Sequence, residues 1–196
     1  MSQLNVERIR NYQSPTNPGI DITSAGNVSM DSGTFLLDAA NNRIGLNTAS
    51  PGASLDIGGD RGVRFNTTPL REKFNTVSGT INGNVTCDLL TANVYYFDTA
   101  STANWTLNLR GSASVSFNAL IEVGHSVVFT AISTNGGSSG FSSSLQIDGN
   151  GQTVRWSGGT APTARGGTGG FDIYQYTILK TAASTYVVVA AVVYVA

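Results

Sequence analysis

The chain has 196 residues, a formal net charge of −1 and a charged fraction of 12%, about half the roughly 25% of an average globular domain. With 11 Lys and Arg against 12 Asp and Glu and no basic run, nucleic acid is excluded as an expected partner. A hydrophobic fraction of 40% and a mean hydropathy of zero exclude disorder by composition. The length suits one ordinary domain plus a smaller module. Low charge, 23 Gly and abundant Ser, Thr and Asn argue against an ordinary soluble enzyme and for an all-β protein with a surface of hydroxyls and amides.

Residues 1–26 read as an extended N-terminal arm. Leu4, Val6 and Ile9 suit a brief strand, Ser14-Pro15-Thr16-Asn17-Pro18-Gly19 breaks any regular element, and Ile20-Asp21-Ile22-Thr23 is another short alternation. There are too few apolar residues for a separate core. A loose terminus and an arm that orders on a partner stand level on physics alone. The first residues lack the apolar stretch of a secretory signal, so the expectation is synthesis in a cytoplasm.

Residues 27–66 predict a run of very short strands: Val28–Met30, Thr34–Leu37, Arg43–Leu46, Ser54–Ile57 and Val63–Phe65. Asn, Asp and Gly between them supply the positive φ angles of tight turns. The pattern fits a meander or a β-prism wound with neighbouring chains. Pieces this small bury an apolar face only against copies or a partner, and three identical chains would close the open edges. Ile44, Leu46, Leu55 and Ile57 are the predicted trimer-interface residues.

Residues 67–76 read as a hinge, with one helical turn over Pro69–Phe74 and Pro at its first position. Residues 77–196 predict a β-sandwich of jelly-roll-like type. Its expected strands are Val77–Ile81, Val85–Leu89, Val94–Asp98, Trp105–Leu109, Ala119–Val123, Ser126–Ser133, Ser143–Ile147, Thr153–Trp156, Phe171–Leu179 and Thr185–Tyr194. Asp148-Gly149-Asn150-Gly151 predicts a hairpin joining Leu145-Gln146-Ile147 to Val154-Arg155-Trp156. A second hairpin is predicted through Lys180–Ser184. Tyr186–Tyr194 lacks alternation, so this strand is expected to be covered on both faces or to lie at a chain–chain interface. The apolar run to Ala196 is far shorter than the roughly 20 residues of a membrane span, so no membrane insertion is expected.

Chemistry has little to work with. His125 is the lone His and Cys87 the lone Cys, which excludes an intrachain disulfide and makes Cys87 an expected small buried hydrophobe. Glu122, Asp148 and Asp172 are dispersed, whereas a glycosidase needs two carboxylates at a set separation. No His/Cys cluster suggests a metal, and Asp148-Gly149-Asn150-Gly151 lacks the spaced ligands of a calcium loop. Arg165-Gly166-Gly167-Thr168-Gly169-Gly170 lacks the Lys-Ser/Thr ending of a phosphate loop and precedes a strand; it reads as a flexible loop, as does Thr134–Gly140. No cofactor is expected. A glycan, if bound, would use aromatic faces near such loops; Trp105 and Trp156 are the predicted contacts, with Tyr95 and Tyr96 behind them, although most strand aromatics are core.

One segment points to a setting. Ile44-Gly45-Leu46-Asn47-Thr48, then Ser50-Pro51, then Leu55-Asp56-Ile57-Gly58 resembles the VGIGT-x-x-P-x-x-x-LDV-x-G element found along bacteriophage tail fibres and other virion appendages. From about Glu72 onward the chain also resembles the C-terminal β-domain of virion structural proteins of tailed phages that infect cyanobacteria. That likeness lies in Ala92–Phe97, Gln146–Gly149, Val154–Pro162 and Asp172–Ile178. These resemblances imply a structural virion protein of a tailed phage, a short trimeric tail fibre made in the host cytoplasm. Leu4, Val6 and Ile9 would attach it to other virion proteins of baseplate, tail or capsid, and the outer domain would contact host surface polysaccharide. A capsid decoration protein, a glycan-cleaving enzyme and a carbohydrate-binding module are the competing readings.

Overall fold

The computed structural model describes residues 8–9, 20–22, 26–30, 34–58, 63, 71–137 and 140–196. Leu4, Val6, most of the expected strand at 63–65 and Pro69 with Leu70 lie outside them. Among the described residues the chain is mostly β, with three sheets and one short helix, and it divides into two compact units, 1–69 and 70–196.

The described residues of the first unit form a six-stranded sheet in chain order: β1 (Arg8–Ile9), β2 (Ile20–Ile22), β3 (Val28–Met30), β4 (Phe35–Asp38), β5 (Arg43–Leu46) and β6 (Leu55–Ile57). Two strands of the expected arm thus add to the sheet of the following module, Ile9 pairing with Ile20 and Ile22 with Val28. Neighbours β1 to β5 are antiparallel, as a meander requires. The last pair departs from a meander: β6 runs parallel to β5, with Ile44 opposite Leu55 and Leu46 opposite Ile57. Residues 47–54 alone make the crossover, shorter than the dozen or more residues such a connection ordinarily takes. Glycines permit it. A Cβ at Gly45 would stand 2.6 Å from the Thr48 carbonyl oxygen, and one at Gly58 would stand 2.6 Å from that of Asn47.

The second unit winds between two sheets. Strands β7 (Phe74–Val77), β9 (Val94–Phe97) and β11 (Ser126–Thr134) lie side by side and parallel in one sheet. Strands β8 (Gly83–Asp88), β10 (Trp105–Arg110) and β12 (Ser142–Ile147) do the same in the other. From β8 to β11, each strand therefore lies on the crossover between two strands of the other sheet. This differs from the hairpin-linked path expected of a jelly roll. The hairpin β15 (Phe171–Ala182) and β16 (Thr185–Val195) completes the first sheet beyond β11, with β14 (Val154–Trp156) at its edge; β13 (Asn150–Gln152) edges the second. The two sheets close on one core. Cys87, Leu107, Leu109, Leu145 and Ile147 come from one side, and Phe97, Phe129, Tyr174, Tyr176, Ile178 and Val188 from the other.

Several expectations are corrected by tertiary partners. No helix forms at 71–74: Arg71–Lys73 carry no regular structure and Phe74 opens β7, which ends at Val77, where a strand was expected to begin. Ala119–Val123 is no strand, because Phe117–Leu120 forms the helix α1. Asp148 accepts from the Phe117 and Asn118 amides, Ser116 Oγ accepts from that of Ala119, and Lys180 Nζ donates to the Asn118 and Ile121 carbonyls. Capping from distant residues satisfies both ends of one turn. The Asp148-Gly149 turn, with φ of 51° and 78°, joins β12 to β13 in the type I′ manner. Val154–Trp156 then leaves for the other sheet and pairs parallel to β16.

The Gly-rich segment 165–170 is tied down rather than free. Gly166 N donates to Asp172 Oδ1, Gly169 N to the Asn135 carbonyl, and Arg165 to the Gly137 and Gly166 carbonyls. A Cβ at Gly170 would stand 1.8 Å from the Val195 carbonyl oxygen. Here glycine serves close approach.

Candidate functional site

In the first unit, register places Val28, Phe35, Leu37, Ile44, Leu46, Leu55 and Ile57 on one face of the sheet. The expected interface residues sit together at its end. Leu55 is 56% exposed, Ile57 38% and Ile44 37%, while Leu46 is half-buried. At these exposures the sheet leaves between about a third and a half of Ile44, Leu55 and Ile57 in water and forgoes that share of the roughly 1.5–3 kcal/mol that full burial of each offers. Ile9 lies in β1, and the contribution of its side chain, like those of Leu4 and Val6, falls outside the described residues.

The second unit carries a surface groove of about 530 Å3 beside the edge strand β14. Trp156, Arg155, Gln152, Ser143 and Ser144 line it. Trp156 is half-buried, its ring edge-on to Tyr176 with centroids 5.8 Å apart. The second predicted contact, Trp105, is 3% exposed and locked between Phe97 and Tyr174, each with centroids 5.5 Å away. It offers no ring face to a ligand. Tyr95 is also core, its hydroxyl donating to the Asp88 carbonyl, and Tyr96 is half-buried on the outer side of the sheet. An open groove with one anchored indole, a guanidinium, an amide and two hydroxyls can hold a polar, flat ligand weakly.

The dispersed acids have structural partners. Asp148 caps α1. Asp172, buried at 1% exposure, accepts from Asn135 Nδ2, Gly166 N and Tyr174 OH. Glu122 Oε2 lies 3.9 Å from His125 Nδ1, with both side chains well exposed. Burial pushes the Cys87 thiol far above its ordinary value, which removes nucleophilic character. Among the described residues no three His, Cys, Asp or Glu side chains cluster as a metal site, and no helix is long and apolar enough to cross a membrane.

The outward side of the four-stranded sheet was not singled out from sequence. It is a polar ladder: Asn84 Nδ2 donates to Gln146 Oε1 at 2.8 Å, Thr106 Oγ1 and Ser144 Oγ lie 2.7 Å apart, and Arg110 Nε donates to Asp88 Oδ1 at 2.6 Å. The period-2 polar positions of Trp105–Arg110 were the available signal. Comparison of the chain with protein-family models, curated proteins and solved structures finds no match.

Proposed function

We propose that this chain is a structural virion protein of a tailed phage, a short trimeric fibre attached to the particle. The observation that supports it most is the β5–β6 arch. The segment resembling the phage-fibre element folds as two short strands joined by one parallel ladder of three residue pairs, with Ile44, Leu55 and Ile57 exposed on one face, so it needs further copies to bury them. In the assembled fibre three such sheets would form the walls of a prism around one axis. The N-terminal strands would dock on baseplate, tail or capsid. The outer domain, a two-sheet sandwich, would adhere to host surface polysaccharide at the Trp156 groove without cleaving it. Summed over several copies, weak contacts suffice.

Labelled antibody against residues 70–196, imaged on intact particles, tests the assignment. Label at the tail supports it; label spread over the capsid shell favours the decoration-protein reading, and no label on particles refutes a virion role.

A further inference from the structure

The two outward faces of the second unit differ sharply. The four-stranded sheet presents the hydrogen-bonded ladder of Asn84, Thr106, Ser144 and Gln146. The six-stranded sheet presents hydrocarbon. Register aligns Phe74, Val128, Leu179, Val189, Val193 and Val195 on its outer side. Their exposures run from 39% for Val195 to 59% for Phe74. Thr and Gln fill gaps between them, and Arg155, on the edge strand opposite Val189, is the charged residue of this face. In β16 the inner neighbours Val188 and Ala190 are 1% and 3% exposed while Val189 is 45% exposed. The continuous apolar run of the C-terminus thus covers two faces, and the chain itself buries one.

We propose that the outer face of the six-stranded sheet is a self-association surface, seated against the same face of further copies of this chain. Its extent fits. Strand spacing and rise, applied to three strands of 9, 12 and 11 residues and two of 4, give roughly 600 Å2 in projection before side-chain relief. A standard interface takes about 800 Å2 from each partner, and exposed apolar patches beyond a few hundred Å2 mark association sites. Its chemistry selects the occupant. A nearly charge-free surface has no charge pattern by which to recognise a polar or charged partner, and it gains most from another apolar sheet. A second copy supplies one with no like charges opposed across the centre, and the net charge of −1 adds little long-range repulsion. Branched side chains on two such sheets interdigitate at about 10 Å separation. The polar ladder then faces outward, which fixes the orientation of each copy in the assembly.

This inference rests on the second unit alone, apart from the first-unit sheet that carries the virion reading; a monomeric protein would count against both, whereas labelling at single positions of this face bears on this inference alone. The test uses the full chain. Val128→Lys with Val189→Lys places two charges at the centre of the face; both residues are exposed, so the protomer can fold. Thr106→Lys on the polar ladder is the control. Light scattering over a dilution series should show the double variant dissociating at 100-fold or more higher concentration than the control and the unaltered protein, with the same circular dichroism. Equal dissociation of variant and control overturns the proposal, as does an unaltered protein that is monomeric at micromolar concentration. Thiol labelling gives an independent reading, since native Cys87 is fully buried. Thr177→Cys should react with maleimide at least tenfold more slowly than Thr106→Cys in the assembled protein, and comparable rates would refute the buried face.

Discussion

Arg43 Nη1 donates to the Pro51 carbonyl oxygen at 2.7 Å, tying the first residue of β5 to the middle of the crossover loop that follows it. The arch from β5 to β6 depends on this tie, on Gly52 N donating to Asp56 Oδ2 at 2.7 Å, and on Gly58 N donating to the Leu46 carbonyl at 2.9 Å. Arg43→Ala should therefore destabilise the first unit by about 1.5–2 kcal/mol, the scale of a hydrogen bond with one charged partner. The check is hydrogen exchange by mass spectrometry over 43–58, which should accelerate there while 71–196 keeps its protection. Unchanged protection in 43–58 would mean that the loop is held by other means.

Asp98 offers a test by pH. Ser78 Oγ donates to its Oδ2 at 2.6 Å and Thr99 Oγ1 to its Oδ1 at 2.9 Å, and these hydrogen bonds hold its pKa below the ordinary 3.8. A lowered folded-state value means that the associated stability is present above about pH 4 and is lost as pH falls through the folded value. Ser78→Ala removes the larger cause, so the Asp98 carboxyl should titrate at higher pH in a 13C-detected NMR titration. A titration midpoint that does not move would show that Ser78 does not set it.

Val188 and Val189 separate the two faces of the C-terminal strand. Val188→Asp places an unpaired carboxylate at a site 1% exposed and should cost about 3–5 kcal/mol, with loss of soluble protein on expression. Val189→Asp, one residue on, should leave the protomer folded and its thermal transition nearly unmoved when association is prevented. Similar melting curves for both variants would mean that the strand is not sided.

This strand also shows what the sequence discloses. Tyr186–Tyr194 is legible as a strand with apolar demand on both faces, since nothing in it alternates. Which face meets the core depends on pairing with Phe171–Ala182, in which Asp172, Tyr174, Tyr176 and Ile178 alternate with exposed Gln175, Thr177 and Leu179. The short strands and turns around Ile44 and Leu55 were equally legible from Asn, Gly and Pro. Their parallel pairing was not, because it rests on glycine clearances at Gly45 and Gly58 that only the folded loop displays. Likewise Phe117–Leu120 is helical because Asp148 and Lys180, distant in sequence, cap it. The order of strands in the second unit escaped for the same reason: local propensity carries no record of which sheet a strand joins. Between Trp105 and Trp156 the flanking residues are similar; burial by Phe97 and Tyr174 decides which one is core.

That distinction leads to a prediction about binding. Trp156 lies in an open groove, while Trp105 fills the core, so the two substitutions should fail differently. Trp156→Ala removes one indole from a half-buried position and should leave the thermal transition within a few degrees, while retention on immobilised host envelope polysaccharide falls at least tenfold. Trp105→Ala empties a core site and should cost about 3–5 kcal/mol, with binding lost only as structure is lost. Single chains should bind weakly and whole particles far more tightly, because each further contact on one particle forms at high effective concentration. Prolonged incubation should release no reducing ends, since Asp148 and Asp172 serve backbone donors and Glu122 stands exposed beside His125. Binding that survives Trp156→Ala would move the contact to another surface, the polar ladder of the four-stranded sheet being the next to probe. Cleavage abolished by Asp172→Asn with the fold intact would instead establish an enzyme.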